Sequence, residues 1–164
     1  MKKIKLIFCA MIAMAATCVT TSCDKIDNKA VPPYTVRIDL GGFAMWNTYG
    51  VAGMGDFRIF NREKGVPSNF PYNVNTYTGF GGVLLMMGLE MPQAYDLACP
   101  VEVNQNIVLS IDPDNLDAVC PKCGSRYNPL TGAGGPISGV AINNKLGMRQ
   151  YHVTPLNGGY FISN

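Results

Sequence analysis

Three cysteines, each set at a chain reversal, constrain this sequence more than any other feature. Cys99 precedes Pro100, while Cys120 and Cys123 form a C-x-x-C with Pro121 inside it and Gly124 after it. Proline and glycine punctuate chains at turns, so these sulfurs belong to loop tips rather than to a packed apolar run. Between them lies a segment of hairpin length. Residues 107–111 and 116–119 read as short strands around Asp112-Pro113-Asp114-Asn115, a strong turn signal. The pattern predicts two cysteine-bearing loops joined by a short hairpin.

The remainder of the chain agrees with such a scaffold. Residues 35–40 alternate polar and apolar side chains, as a half-buried strand does, and residues 57–60 form a second short run. Residues 81–87 are uniformly apolar and short enough for a buried strand. Residues 94–98 lead into Cys99, and residues 127–130 leave the second loop. Residues 146–154 and 160–163 pair across a hairpin-like connection at 155–159. Residues 66–78, with Pro67, Pro71 and three asparagines, read as a long loop, and residues 43–55 as irregular chain or a short strand. No segment beyond the leader shows helical periodicity. With 18 Gly, 11 Pro and strands at about ten-residue spacing, the chain reads as an all-β antiparallel sandwich or barrel over residues 34–164.

Residues 1–22 read as a processing segment. Lys2, Lys3 and Lys5 supply a basic start, an apolar stretch follows at 6–16, and Thr20-Thr21-Ser22 precede Cys23. A cysteine in that place resembles a bacterial lipobox, with Thr20 where leucine is usual. It makes Cys23 the lipidated N-terminus and residues 23–33 a lipidated, polar tether ending in Pro32-Pro33. The expected location is the bacterial cell envelope, with the membrane as a partner through the lipid. Cleavage before Cys23 removes three lysines and no acidic residue, which turns the formal net charge from +2 to about −1. No basic stripe remains to suggest a nucleic-acid partner.

Of six cysteines, Cys9 and Cys18 leave with the leader and Cys23 carries the lipid. Three remain, an odd number for an exported protein. That arithmetic suits a metal held by all three, or one disulfide with a spare thiol. The C-P-K-C-G run resembles half of a zinc ribbon, which would place Cys99, Cys120 and Cys123 on zinc with Asp96 or water as fourth donor. A disulfide from Cys99 to Cys120 or Cys123 would close a loop of about 21 residues and contribute on the order of 3 kcal/mol. Such a domain would be a binding or structural lipoprotein with no metal. A redox dithiol at Cys120 and Cys123 lacks the helix that lowers a thiolate pKa. Residues 132–139, though glycine-rich, lack the lysine and helix of a phosphate loop. His152 is the single histidine, so no Ser/His/Asp catalytic set is arguable and the chain does not read as an enzyme.

The paired loops also resemble those of the Rieske iron–sulfur family, which carries C-x-H on one loop and C-x-x-H on the other. After the second loop that family runs G-S-x-F/Y, then a glycine-rich turn, then G-P-A, a leucine and a closing strand. Here these become Gly124-Ser125-Arg126-Tyr127, then Gly134-Gly135, then Gly139-Val140-Ala141, Leu146 and Tyr151-His152-Val153, so the likeness covers residues 82–163, about half the chain. It implies a Rieske-like two-loop tip and a [2Fe–2S] cluster on Cys99, Cys120 and Cys123. It also implies hydroxyls of Ser125 and Tyr127 beside the cluster sulfurs, and single-electron exchange with an unidentified redox partner. The two histidine positions are Val101 and Cys123, which leaves one ligand short and adds thiolate charge that would lower the potential.

The lipid anchor has a direct check. A Cys23→Ser variant is expected to move from the membrane to the soluble fraction, because acyl chains supply the membrane affinity. Retention on membranes after fractionation would remove Cys23 as the anchor.

Overall fold

The apolar run before Met87 becomes a strand with no solvent-facing side. The computed structural model describes residues 25–164, so the leader at 1–22 and Cys23 lie outside the described residues. Strand β4 (Val83–Met87) sends Val83 and Leu85 into one apolar core, and Leu84 and Met86 into another. Successive side chains of a strand point to opposite faces, so a strand flanked by two cores has no place for polar residues. Each of these side chains contributes about 1.5–3 kcal/mol by leaving water.

In chain order the other elements are β1 (Val36–Leu40), α1 (Phe43–Tyr49), β2 (Phe57–Phe60), β3 (Tyr77–Thr78), β5 (Pro92–Asp96), β6 (Ser110–Ile111), β7 (Ala118–Val119), β8 (Arg126–Asn128), β9 (Gly135–Ser138), α2 (Val140–Asn143), β10 (Gln150–Leu156) and β11 (Gly159–Ser163). Seven strands form one antiparallel sheet in the order β2-β4-β5-β10-β11-β1-β3, and β6-β7-β8-β9 form a smaller one. The larger sheet curls into a nearly closed barrel. Its two edge strands are drawn together by Arg62, just past β2, whose backbone N–H donates to Thr78 Oγ1 (3.2 Å) and whose guanidinium donates to the Thr76 carbonyl (3.1 Å). The all-β barrel expectation therefore holds.

The barrel interior is filled by Val36, Ile38 and Leu40 from β1, with Phe60, Phe70, Tyr151 and Ile162. The second core lies between the β4–β5 face and the smaller sheet, and contains Tyr95, Leu97, Leu109, Ala118, Tyr127 and Met148 together with Cys99 and Cys120. The final hairpin turns through Asn157-Gly158, whose positive φ values of 48° and 84° suit a two-residue turn matched to strand twist.

Three parts differ from the sequence expectation. Residues 43–49 are helical, not irregular, with Met45, Trp46 and Tyr49 packed against the barrel core. They occupy an i, i+1, i+4 face that a helix of two turns displays only once. Helix α2 and strand β9 were likewise not expected, and the loop expected at 66–78 ends in strand β3, which pairs with β1. The segment at 25–33 lies against the domain: Val31 is fully buried, Asp27 bridges to Leu146, and the Arg149 guanidinium donates to the carbonyls of Val31 (2.6 Å) and Lys29 (3.2 Å).

Asp96 ends β5 and is fully buried. Its carboxylate accepts from the backbone N–H groups of Phe80 (2.8 Å), Gly81 (3.0 Å) and Ala98 (2.8 Å), and from the Tyr151 hydroxyl (2.6 Å). Burial pushes its pKa up, while these four donors work in the other direction. Replacing Asp96 with Ala leaves several buried donors unpaired and is expected to cost about 3 kcal/mol or more, against about 1 kcal/mol for Tyr151→Phe. Urea unfolding of the two variants checks the order; equal losses would contradict this role for the carboxylate.

Candidate metal centre

Each cysteine loop is closed by its own backbone hydrogen bonds before any ligand is considered. In the first, the N–H of Cys99 donates to the Ile107 carbonyl (3.0 Å) and that of Val103 donates to the Cys99 carbonyl (2.9 Å). In the second, Cys120 N–H donates to Ser125 O (2.9 Å), continuing the β7–β8 ladder, and Gly124 N–H returns to Cys120 O (3.0 Å). Gly124 completes that return at φ 68°, the left-handed region a side chain disfavours. Gly139 is needed for a different reason: a Cβ there would lie 2.9 Å from Ser125 Cα, so glycine lets the start of α2 close on the second loop.

Both loops rest on the second core, and their sulfurs converge. The Sγ atoms of Cys99, Cys120 and Cys123 all lie within 4.8 Å of one another, with Cys99 and Cys123 at 3.7 Å. Cys99 and Cys120 are buried and Cys123 is half-buried, so the group opens to solvent on the Cys123 side. All three are free thiols; 3.7 Å is well beyond the bonded distance of about 2.05 Å, and the loops are not joined by a disulfide.

Two hydroxyls contact the sulfurs. Tyr127 is fully buried with its hydroxyl 3.7 Å from Cys99 Sγ. The Cys123 thiol donates to Ser125 Oγ (3.3 Å), which also accepts from the Ala141 N–H (3.2 Å). Burial is the main cause that pushes the Cys99 thiol up to about 12. Burial also raises Cys123, but the hydroxyl and backbone N–H of Ser125 and the two neighbouring thiols outweigh it and leave that thiol below its ordinary value. Desolvation drives the Tyr127 phenol upward, so it stays a neutral donor.

The fourth donors considered from sequence are elsewhere. Asp96, a possible oxygen ligand by sequence, is committed to three backbone N–H groups and Tyr151 and does not join the cysteines. His152 sits exposed on β10, opposite Ser163, in the larger sheet. Val101, at the first histidine position of the resemblance, packs half-buried against the second core. The Glu102 carboxylate accepts from Lys122 Nζ at 2.6 Å, which ties the first loop to the second. Lys122 was missed in the sequence, although opposite charges beside facing cysteines were a usable signal. Arg126, also missed, pairs with Asp112, with Asp117 (3.0 Å) and with Asn115 (3.0 Å), which holds the β6–β7 turn against β8.

Three thiolates in one place, two of them buried, suit a thiophilic cation. Two tetrahedral ligands at a Zn–S length of about 2.3 Å stand about 3.8 Å apart, close to the 3.7 Å between Cys99 and Cys123. A two-iron cluster with Cys99 and Cys120 on one iron would set Cys123 across it, and would still lack a fourth protein donor. The sulfur set thus fits one ion more closely than two irons. The chain matches no described protein family, and no curated protein or solved structure matches it either.

Reactivity should follow this arrangement. In reduced, metal-free protein, iodoacetamide is expected to modify Cys123 first, with Cys99 and Cys120 reacting only after denaturant is added. Mass spectrometry of peptides reads the order, and early modification of Cys99 would contradict the burial described.

Proposed function

We propose that this protein is a thiolate metal-binding domain whose two-loop tip holds one zinc ion on Cys99, Cys120 and Cys123. The observation that carries the reading is the convergence of three sulfurs from two separate loops to within 4.8 Å. The ion would supply the positive charge that makes thiolates tolerable beside an apolar core, and would fix the two loops against each other. The chain's own residues do the rest: Tyr127 and Ser125 orient the sulfurs, and the Lys122–Glu102 pair closes the rim. The setting we propose with it is the cell envelope, with Cys23 lipidated.

A second reading keeps the iron–sulfur occupant. The hydroxyls of Tyr127 and Ser125 at the sulfurs favour it, since such contacts tune a cluster's potential. In that case the domain is a Rieske-like [2Fe–2S] carrier that passes single electrons to a redox partner, with its open edge at Cys123.

Metal and acid-labile sulfide analysis of protein matured in the cell and purified without oxygen separates the readings. We expect one zinc per chain, no sulfide and a colourless preparation. Two irons and two sulfides with visible absorbance would replace zinc by the cluster. Metal-free protein containing a Cys99 disulfide would overturn both in favour of a stapled, structural domain. Tyr127→Phe should weaken metal binding by about tenfold, as removal of a ligand's hydrogen-bond partner commonly does.

A further inference from the structure

From the donor count at the tip we infer that the centre has one exchangeable coordination position, filled by water at rest and open to a small neutral donor of the imidazole class. The inference rests on the single-ion reading above. Structural zinc sites close all four positions with protein ligands, whereas three protein ligands plus water mark a site at which an outside molecule can bind. Among the described residues the group consists of Cys99, Cys120 and Cys123, and no fourth His, Cys, Asp or Glu joins it.

The nearest alternatives are each held by something else. Asp96 is saturated by Phe80, Gly81, Ala98 and Tyr151, and Glu102 is paired with Lys122. Asp112 and Asp117 are bound by Arg126, and His152 lies on the larger sheet. Ser125 Oγ already contacts both Cys123 and the Ala141 N–H. Because Cys99 and Cys120 are buried while Cys123 is half-buried, access to the ion is from the Cys123 side.

Charge selects the class of incoming ligand. Three thiolates on a divalent ion already leave a net negative charge, and a further anion would add to it beside an apolar core. Lys122, the ammonium beside Cys120 and Cys123, is engaged by Glu102 and so is not free to balance another anion. A neutral nitrogen donor replaces water without changing the charge.

Cobalt(II) loaded into the reduced full-length chain in detergent reports on this directly, through its sulfur-to-cobalt charge-transfer bands and its visible d–d bands. Imidazole titration is expected to shift the d–d bands saturably, with one imidazole per cobalt and unchanged charge-transfer intensity. Chloride at the same concentrations is expected to leave them unmoved. Charge-transfer bands with no imidazole response would overturn the inference while leaving the metal centre intact. Loss of the charge-transfer bands on titration would overturn it as well, because imidazole would then be displacing a thiolate. Failure to form any cobalt–thiolate bands would overturn the metal reading and this inference with it. The titration is repeated with Cys23→Ser: a response present only in that variant would show that Cys23 fills the fourth position, and would also overturn it.

Discussion

The β4–β5 pair is buried on both faces, and the rest of the molecule follows from that. Its inner face completes the barrel, and its outer face, through Leu84, Met86 and Tyr95, founds the second core. The smaller sheet can only cover that outer face, which brings the Cys120–Cys123 turn over the end of the chain leaving β5, where Cys99 stands. The meeting of the two loops is therefore a product of apolar packing, and the hydrogen bonds within each loop give the sulfurs their directions.

The same packing creates an electrostatic demand. Cys99 and Cys120 belong to the second core, and burial is the main cause that keeps Cys99 protonated above neutral pH. Converting such thiols to thiolates without a counter-charge is expensive in an apolar setting. Lys122 is too exposed, and too engaged with Glu102, to serve that purpose for all three. A cation bound among the sulfurs would meet that demand directly, and the hydroxyls of Tyr127 and Ser125 would spread the remaining charge.

Much of this was legible in the sequence because the signals were local or strictly periodic. The uniform apolar run at β4, the alternation of β1, the Asp-Pro-Asp-Asn turn and the final hairpin each announce themselves within a few residues, although the connection expected at 155–159 narrows to Asn157-Gly158 because β10 runs on to Leu156. The meeting of Cys99 with Cys120 and Cys123 was expected only from the likeness of their loops to those of the Rieske family, since three cysteines at turns do not by themselves show that the turns meet. What escaped depended on tertiary contacts. Helix α1 is two turns long, and its apolar face becomes evident only when Trp46 meets Tyr160, ring centroids 4.6 Å apart. Asp96 looked available as an oxygen ligand until the backbone of residues 80–81 closed on it. Docking of residues 25–33 depends on Arg149, about 120 positions away, whose target is a pair of carbonyls invisible to any sequence pattern.

X-ray absorption at the metal edge of natively matured protein addresses the central claim most directly. The account predicts three sulfur scatterers at about 2.3 Å and one lighter atom around a single ion. Fewer than three sulfurs, or a metal–metal scattering path, would contradict a centre built from Cys99, Cys120 and Cys123 around one ion.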